Sequence, residues 1–149
     1  MTKTILILLS LSALNISLFA EDMTEKIKMQ NREVVKMAAA EMAAQLPQKV
    51  DNYTQLVDIK AKDESLVYTF EINTGAKSDD TVINEDKSRM KEAVTNGICQ
   101  TSKRFLDSGI LISYIYTSAA SKKQLFHFDV NRKACEDLLG SRYKDQGRL

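Results

Sequence analysis

The sequence predicts an α+β fold. Its order is helix, β-hairpin, helix, β-hairpin, short helix, with a four-stranded, mainly antiparallel sheet carrying the two longer helices on one face. Three observations predict it. Residues 24–46 are rich in Ala, Met, Lys, Glu and Gln, with apolar residues three and four apart. Residues 53–73 and 110–131 each hold two β-type runs broken by a polar turn. Between them lies a second helical stretch that stops at "DSG".

In the first helix Val34/Val35, Ala38, Met42 and Leu46 make one small-sided apolar stripe, with "MAAAEMAA" at its centre. Small side chains let a helix lie close to a sheet. A groove-binding or self-associating helix is the alternative. Pro47 ends the element, because the residue before a proline is pushed out of the helical region. The part before Val34 is more polar.

"YTQLVDIKAKDESLVYTFEIN" reads as the first hairpin. In its second strand Leu66, Tyr68, Phe70 and Ile72 share one face, and Val67, Thr69 and Glu71 share the other. Asn84 is the expected N-cap of the second helix, with Glu85 and Asp86 in the first turn, where carboxylates suit the helix dipole. That helix is expected to reach Leu106, burying Met90, Val94, Ile98 and Phe105. Gly97 inside it costs about 1 kcal/mol relative to alanine, a concession to a close neighbour. "ILISYIYT" and "QLFHFDVN" form the second hairpin around "SAASKK". Its last strand is expected to turn Phe126, Phe128 and Val130 inward and Leu125, His127 and Asp129 outward. A short helix from Arg132 to Leu139 ends at Gly140, and 141–149 reads as a loosely held tail.

The chain opens "MTKTILILLSLSALNISLFAED". A positive start at Lys3, a short apolar core and small Ala20 before an acidic pair are the pattern of a secretory signal peptide cleaved after Ala20. The expected division is therefore 1–20 signal peptide and 21–149 a single domain, in the periplasm or secreted. The alternative is a retained N-terminal anchor, kept open by Leu18, which is large for its place before the cut. No later apolar run is long enough to span a membrane.

Removing Lys3 with the leader leaves 20 basic against 20 acidic residues. That balance lacks the basic excess of a nucleic-acid binder. In an exported chain an even cysteine count favours pairing, so Cys99 and Cys135 are expected to form a disulfide.

Catalytic chemistry finds little support. His127, the only histidine, could sit beside Asp129 on a strand face, but Cys135 lies beyond "NRK" and is expected to be oxidised. One histidine and two paired cysteines cannot make a common zinc site. The acidic run "SDDTVINED" lacks the spacing of a calcium loop. There is no phosphate-binding glycine loop, no G-x-S-x-G elbow and no tryptophan for a sugar cleft. No cofactor, metal or catalytic residue is therefore assigned. Tyr114 and Tyr116 share a strand face, with Tyr68 nearby. Core packing explains them, and so does a tyrosine-lined groove between the sheet and the first helix.

The segments "LPQKVDNYTQLV", "NGICQTSKRFLDSGILISYIY" and "FHFDVNRKAC" run in order over most of the mature chain. Together they resemble small exported bacterial α+β proteins with a two-cysteine pattern, most without assigned function. The resemblance implies fold and compartment only. The expected function is a non-enzymatic periplasmic binding or assembly module acting on an envelope protein partner. Its candidate face is Tyr68, Tyr114, Tyr116 and His127. The alternative is a small-ligand or lipid carrier, and a small hydrolase stands last.

Overall fold

The computed structural model describes residues 14–146. Residues 1–13, most of the expected signal peptide, and 147–149 lie outside the described residues. The chain runs α1 (Leu14–Ala43), β1 (Gln48–Lys49), β2 (Thr54–Lys62), β3 (Ser65–Ile72), α2 (Asp79–Thr101), α3 (Lys103–Asp107), β4 (Leu111–Ser118), β5 (Gln124–Val130), α4 (Arg132–Leu139) and α5 (Ser141–Asp145).

The sheet has five strands in the order β1-β2-β3-β4-β5, one more than expected. The extra strand is β1, two residues after Pro47 paired with Leu56 and Gln55. The sheet is also mixed. Its outer pairings are antiparallel, but β3 and β4 run parallel at the centre, from Ser65↔Leu111 to Ile72↔Ser118. The crossover explains this. The 23 residues of α2 span about 35 Å, enough to carry the chain back along a whole strand before β4 begins.

Residues of even number line one face of the central strands. Leu66, Phe70, Ile112, Tyr116, Phe126, Phe128 and Val130 are all buried there. The two long helices cover this face. α1 buries Asn31, Val35 and Ala39 and packs mainly over β2, while α2 buries Ile98 and Cys99 and packs over β5. The opposite face carries Thr69, Ile115, His127 and Asp129 and is only partly covered or open.

The cap of α2 lies six residues before the expected one. Ser78 accepts the Thr81 N–H, and Asp79 and Asp80 occupy the first turn. Asn84 is an exposed residue of the helix interior. The acidic run is held by ordinary partners: Ser121 Oγ donates to Asp79 at 2.6 Å, and Lys123 Nζ lies 2.7 Å from Asp80. These contacts tie α2 to the β4–β5 turn. Nor does α2 reach Leu106. It stops at Ser102 (φ −115°, ψ 19°), and α3 begins again at Lys103.

β5 departs from strict alternation. Tyr116 pairs with Phe126 and Thr117 with Gln124, so Leu125 is bulged out of the ladder. The bulge turns Leu125 into the core rather than outward with His127. α4 is capped by Asn131, which accepts the Ala134 N–H, and ends at Gly140 (φ 57°), a conformation suited to glycine.

The Cys99–Cys135 disulfide joins α2 to α4, and both residues are fully buried. The tail expected to be loose forms α5 instead, with Tyr143 buried. Its hydroxyl donates to Asp107 Oδ1 at 3.1 Å, and Lys103 Nζ sits 4.2 Å from the ring centre. The Asp107 carboxyl is pushed up by burial, but the hydrogen bonds from Lys103 and Tyr143 outweigh that and hold it below the usual carboxylate range.

Candidate functional site

A groove of about 1090 Å³ opens on the helix-covered face of the sheet. Its floor is an aromatic ladder built by the parallel register of β3 and β4, which sets Tyr68 beside Tyr114 and Phe70 beside Tyr116. Ring centres are 5.1 Å apart for Tyr68–Tyr114 and 4.8 Å for Phe70–Tyr116, and Phe126 continues the row 6.3 Å from Tyr116. One wall is α2, presenting Met90, Ala93, Val94 and Gly97 at helical spacing. The other rim is the β1–β2 connection, where Val50 and Tyr53 are well exposed.

The groove is therefore not between the sheet and the first helix. No α1 residue lines it. Ala39 lets α1 sit directly on β2, closing that side, and Tyr68 meets it through a 3.6 Å approach of its hydroxyl to Met42 Sδ. On the α2 side Ala93 and Gly97 are small and exposed where they line the groove. A Cβ built on Gly97 meets no atom within 4 Å, so this glycine faces open space and not a close neighbour.

The lining is mostly apolar. The hydroxyls of Tyr114 and Tyr116 make no hydrogen bond among the described residues, and no buried side-chain polar atom there lacks a partner, so both hydroxyls open into the groove. Charge is confined to the rim. Arg89 pairs with Asp86 at 2.5 Å, and Lys77 with Glu85 at 2.6 Å.

Burial raises the Tyr68 phenol to about 12, with a smaller push from Tyr114. Burial also raises Tyr114 and Tyr116. Tyr143 is raised to about 12 by burial and by its bond to Asp107. These folded-state values lie above the ordinary tyrosine value of 10.0. The un-ionised rings thus stabilise the fold fully below pH 10, and that contribution is lost as pH rises toward about 12. Denaturant midpoints measured across this range are expected to fall together with the appearance of phenolate absorbance. A midpoint unchanged through pH 12 is the contrary result.

His127 lies on the other side of the sheet. Its Nε2 is 3.0 Å from Asp129 Oδ1, and the same oxygen accepts a short hydrogen bond from Ser113 Oγ. The three side chains resemble a hydrolytic set only by composition. The carboxylate stands between hydroxyl and imidazole, so the ring cannot take the serine proton as a triad requires. Cys135 is in the disulfide on the opposite side. The structure thus brings Tyr68, Tyr114 and Tyr116 together in the groove and leaves His127 apart from them. Sequence reasoning missed Phe70, Phe126 and the α2 wall. Only the alternation of the strands could have pointed to the first two. Among the described residues, no three His, Cys, Asp or Glu side chains gather as a metal cluster, and no helix is long and apolar enough to cross a membrane.

Fold and site together define a two-layer α+β domain with an aromatic-floored groove under its second helix. The chain belongs to the family described as Domain of unknown function (DUF8479), matched over residues 23–126. No curated protein matches the sequence. Three solved structures share the fold. One is a protein from Pseudomonas aeruginosa described as secreted, with TM-score 0.65 and 10% identity over 73% of this chain and 96% of that one. The second is the pilotin EpsS of the Vibrio vulnificus type 2 secretion system, with TM-score 0.60 and 15% identity over 74% and 96%. The third is the type II secretion pilotin AspS from Vibrio cholerae, with TM-score 0.61 and 15% identity over 75% and 98%. At these identities the likeness is one of fold.

Proposed function

We propose that this chain is a non-enzymatic envelope module that binds a protein partner of an export or secretion complex. The partner's short apolar segment lies along the groove. The observation that carries this is the groove itself. It offers a row of rings, free tyrosine hydroxyls to orient an occupant, and neither histidine, cysteine nor serine among its lining residues. Tyr68, Tyr114 and Tyr116 form the floor, with Phe70 and Phe126. Support comes from the fold shared with two secretion-system pilotins and from the signal-peptide pattern over residues 1–20, which favours a periplasmic or secreted chain. His127 belongs to the outer sheet face and takes no part.

A photoreactive residue placed at Tyr53, on the exposed rim, tests this. Cross-linking in host envelopes is expected to join the chain to one envelope protein, identified by mass spectrometry. Recovery of an unlinked, inert chain overturns the reading. The carrier reading draws on the same volume, which would hold an acyl chain as readily as one face of a helix. Native mass spectrometry of protein from its own host separates the two: a bound lipid or metabolite favours the carrier, a bare mass the protein-binding module.

A further inference from the structure

α1 carries a second apolar surface that the groove does not use. From Glu21 to Gln30 no residue is buried, and packing against the domain starts only at Asn31, whose side chain donates to the Ser108 carbonyl at 2.9 Å. On this half of the helix and just beyond, Met23, Ile27, Val34 and Met37 are exposed. With Gln30 they fall four, three, four and three residues apart, the spacing of a coiled-coil seam. The seam sits about 120° around the helix from the buried stripe of Asn31, Val35 and Ala39, so both faces can be occupied at once. A shallow depression of about 650 Å³ runs along it.

The geometry points to a second copy of this chain as the occupant, paired antiparallel through α1. The charges flanking the seam choose the partner and the register. Lys26 and Glu33 are the two residues that border the seam on one side, one heptad apart. Antiparallel pairing that sets Met23 against the second copy's Val34, and Ile27 against its Gln30, brings Lys26 of each chain to Glu33 of the other, twice by symmetry. Sliding one heptad either way sets Glu33 against Glu33 or Lys26 against Lys26. The sequence is therefore self-complementary in one register and self-repelling in its neighbours. The same register centres the two-fold between Lys28 and Met29. Each copy's domain-packed segment, from Asn31 on, then lies beside the free half of its partner's helix, and the two domains fall at opposite ends.

Two short heptads make a small interface, so association is expected to be weak and visible at high protein concentration. Sedimentation equilibrium of the chain from Glu21 onward tests it. The wild type is expected to self-associate. Lys26→Glu and Glu33→Lys are each expected to weaken this about tenfold, since each replaces two attractions by two repulsions. Mixing the two variants in equal amounts is expected to restore association as a heterodimer, because both flanking pairs become complementary again. Both side chains are exposed and their bonds within the chain, to Asp22 and Lys36, are surface pairs, so folding is not at issue. Orientation is read separately. The native cysteines leave no free thiol, and Ile27→Cys mixed with Gln30→Cys is expected to cross-link faster than either variant alone. A wild type that stays monomeric, a mixture that fails to restore association, or a stripe that binds lipid vesicles without self-association would each overturn the inference.

Discussion

Replacing Cys99 and Cys135 together by alanine is expected to lower the stability of the fold by about 3–4 kcal/mol. The disulfide closes a loop of 36 residues, and the chain-entropy model gives roughly that figure for such a loop. A domain of this size has about 5–15 kcal/mol in total, so the loss is a large share. The structure gives the effect a direction as well as a size. Cys99 lies on α2 and Cys135 on α4, and the loop between them contains α3, β4 and β5. Without the bond, α4 is held by Asn131, by its contacts with α2 and by the Tyr143–Asp107 anchor that follows it. Loosening is therefore expected to start at the C-terminal end of the chain and at the α2 wall of the groove, before the central strands. Urea unfolding followed by circular dichroism measures the total, and amide exchange measures the order. A midpoint equal to that of the wild type contradicts the expectation. Both residues are fully buried, so the folded wild type is also expected to resist thiol-labelling reagents unless it is first unfolded and reduced.

What the sequence disclosed and what it withheld divide along a physical line. The two hairpins were legible because β3 and most of β5 alternate, and alternation is local. The short helix from Arg132 to Leu139 was legible at its end, where Gly140 stops it; the Asn131 cap at its start is seen only in the structure. The strand β1 was not, since two residues carry no period. The parallel centre of the sheet depends on where α2 returns the chain, which no single segment encodes. The α2 cap was misplaced because Ser78-Asp79-Asp80 and Asn84-Glu85-Asp86 offer the same chemistry, and packing of Val82 on the sheet side decides for the first. Leu125 broke the alternation through a bulge. Tyr143 was hidden in a polar tail, where one aromatic side chain gives no pattern. The groove was half legible. Its tyrosines shared a strand face on paper, but the helix that walls it was mistaken. The small residues of α1 signal close contact, and close contact excludes a groove. The helix that walls the groove is α2.

That distinction makes Gly97 the position at which binding and folding can be separated. Gly97→Leu is expected to leave the fold at least as stable as the wild type and to abolish occupancy of the groove. On the folding side, glycine within a helix is about 1 kcal/mol worse than alanine, and leucine is nearly as good as alanine. A Cβ there meets nothing within 4 Å, so no strain offsets the gain. On the binding side, the new side chain fills part of the groove that Gly97 lines, the volume an occupant would need. Loss of even 1.4 kcal/mol is tenfold in affinity, and steric exclusion of a segment from the groove is larger than that. Thermal unfolding is expected to show an unchanged or higher midpoint, while the cross-link formed from Tyr53 to an envelope protein disappears. Gly97→Ala is the graded control, keeping the helix gain with only one methyl in the groove, and it is expected to retain most of the cross-link. If Gly97→Leu is stable and still cross-links as the wild type does, the partner is held elsewhere, and the open outer face of the sheet around Ile115 and His127 becomes the surface to test.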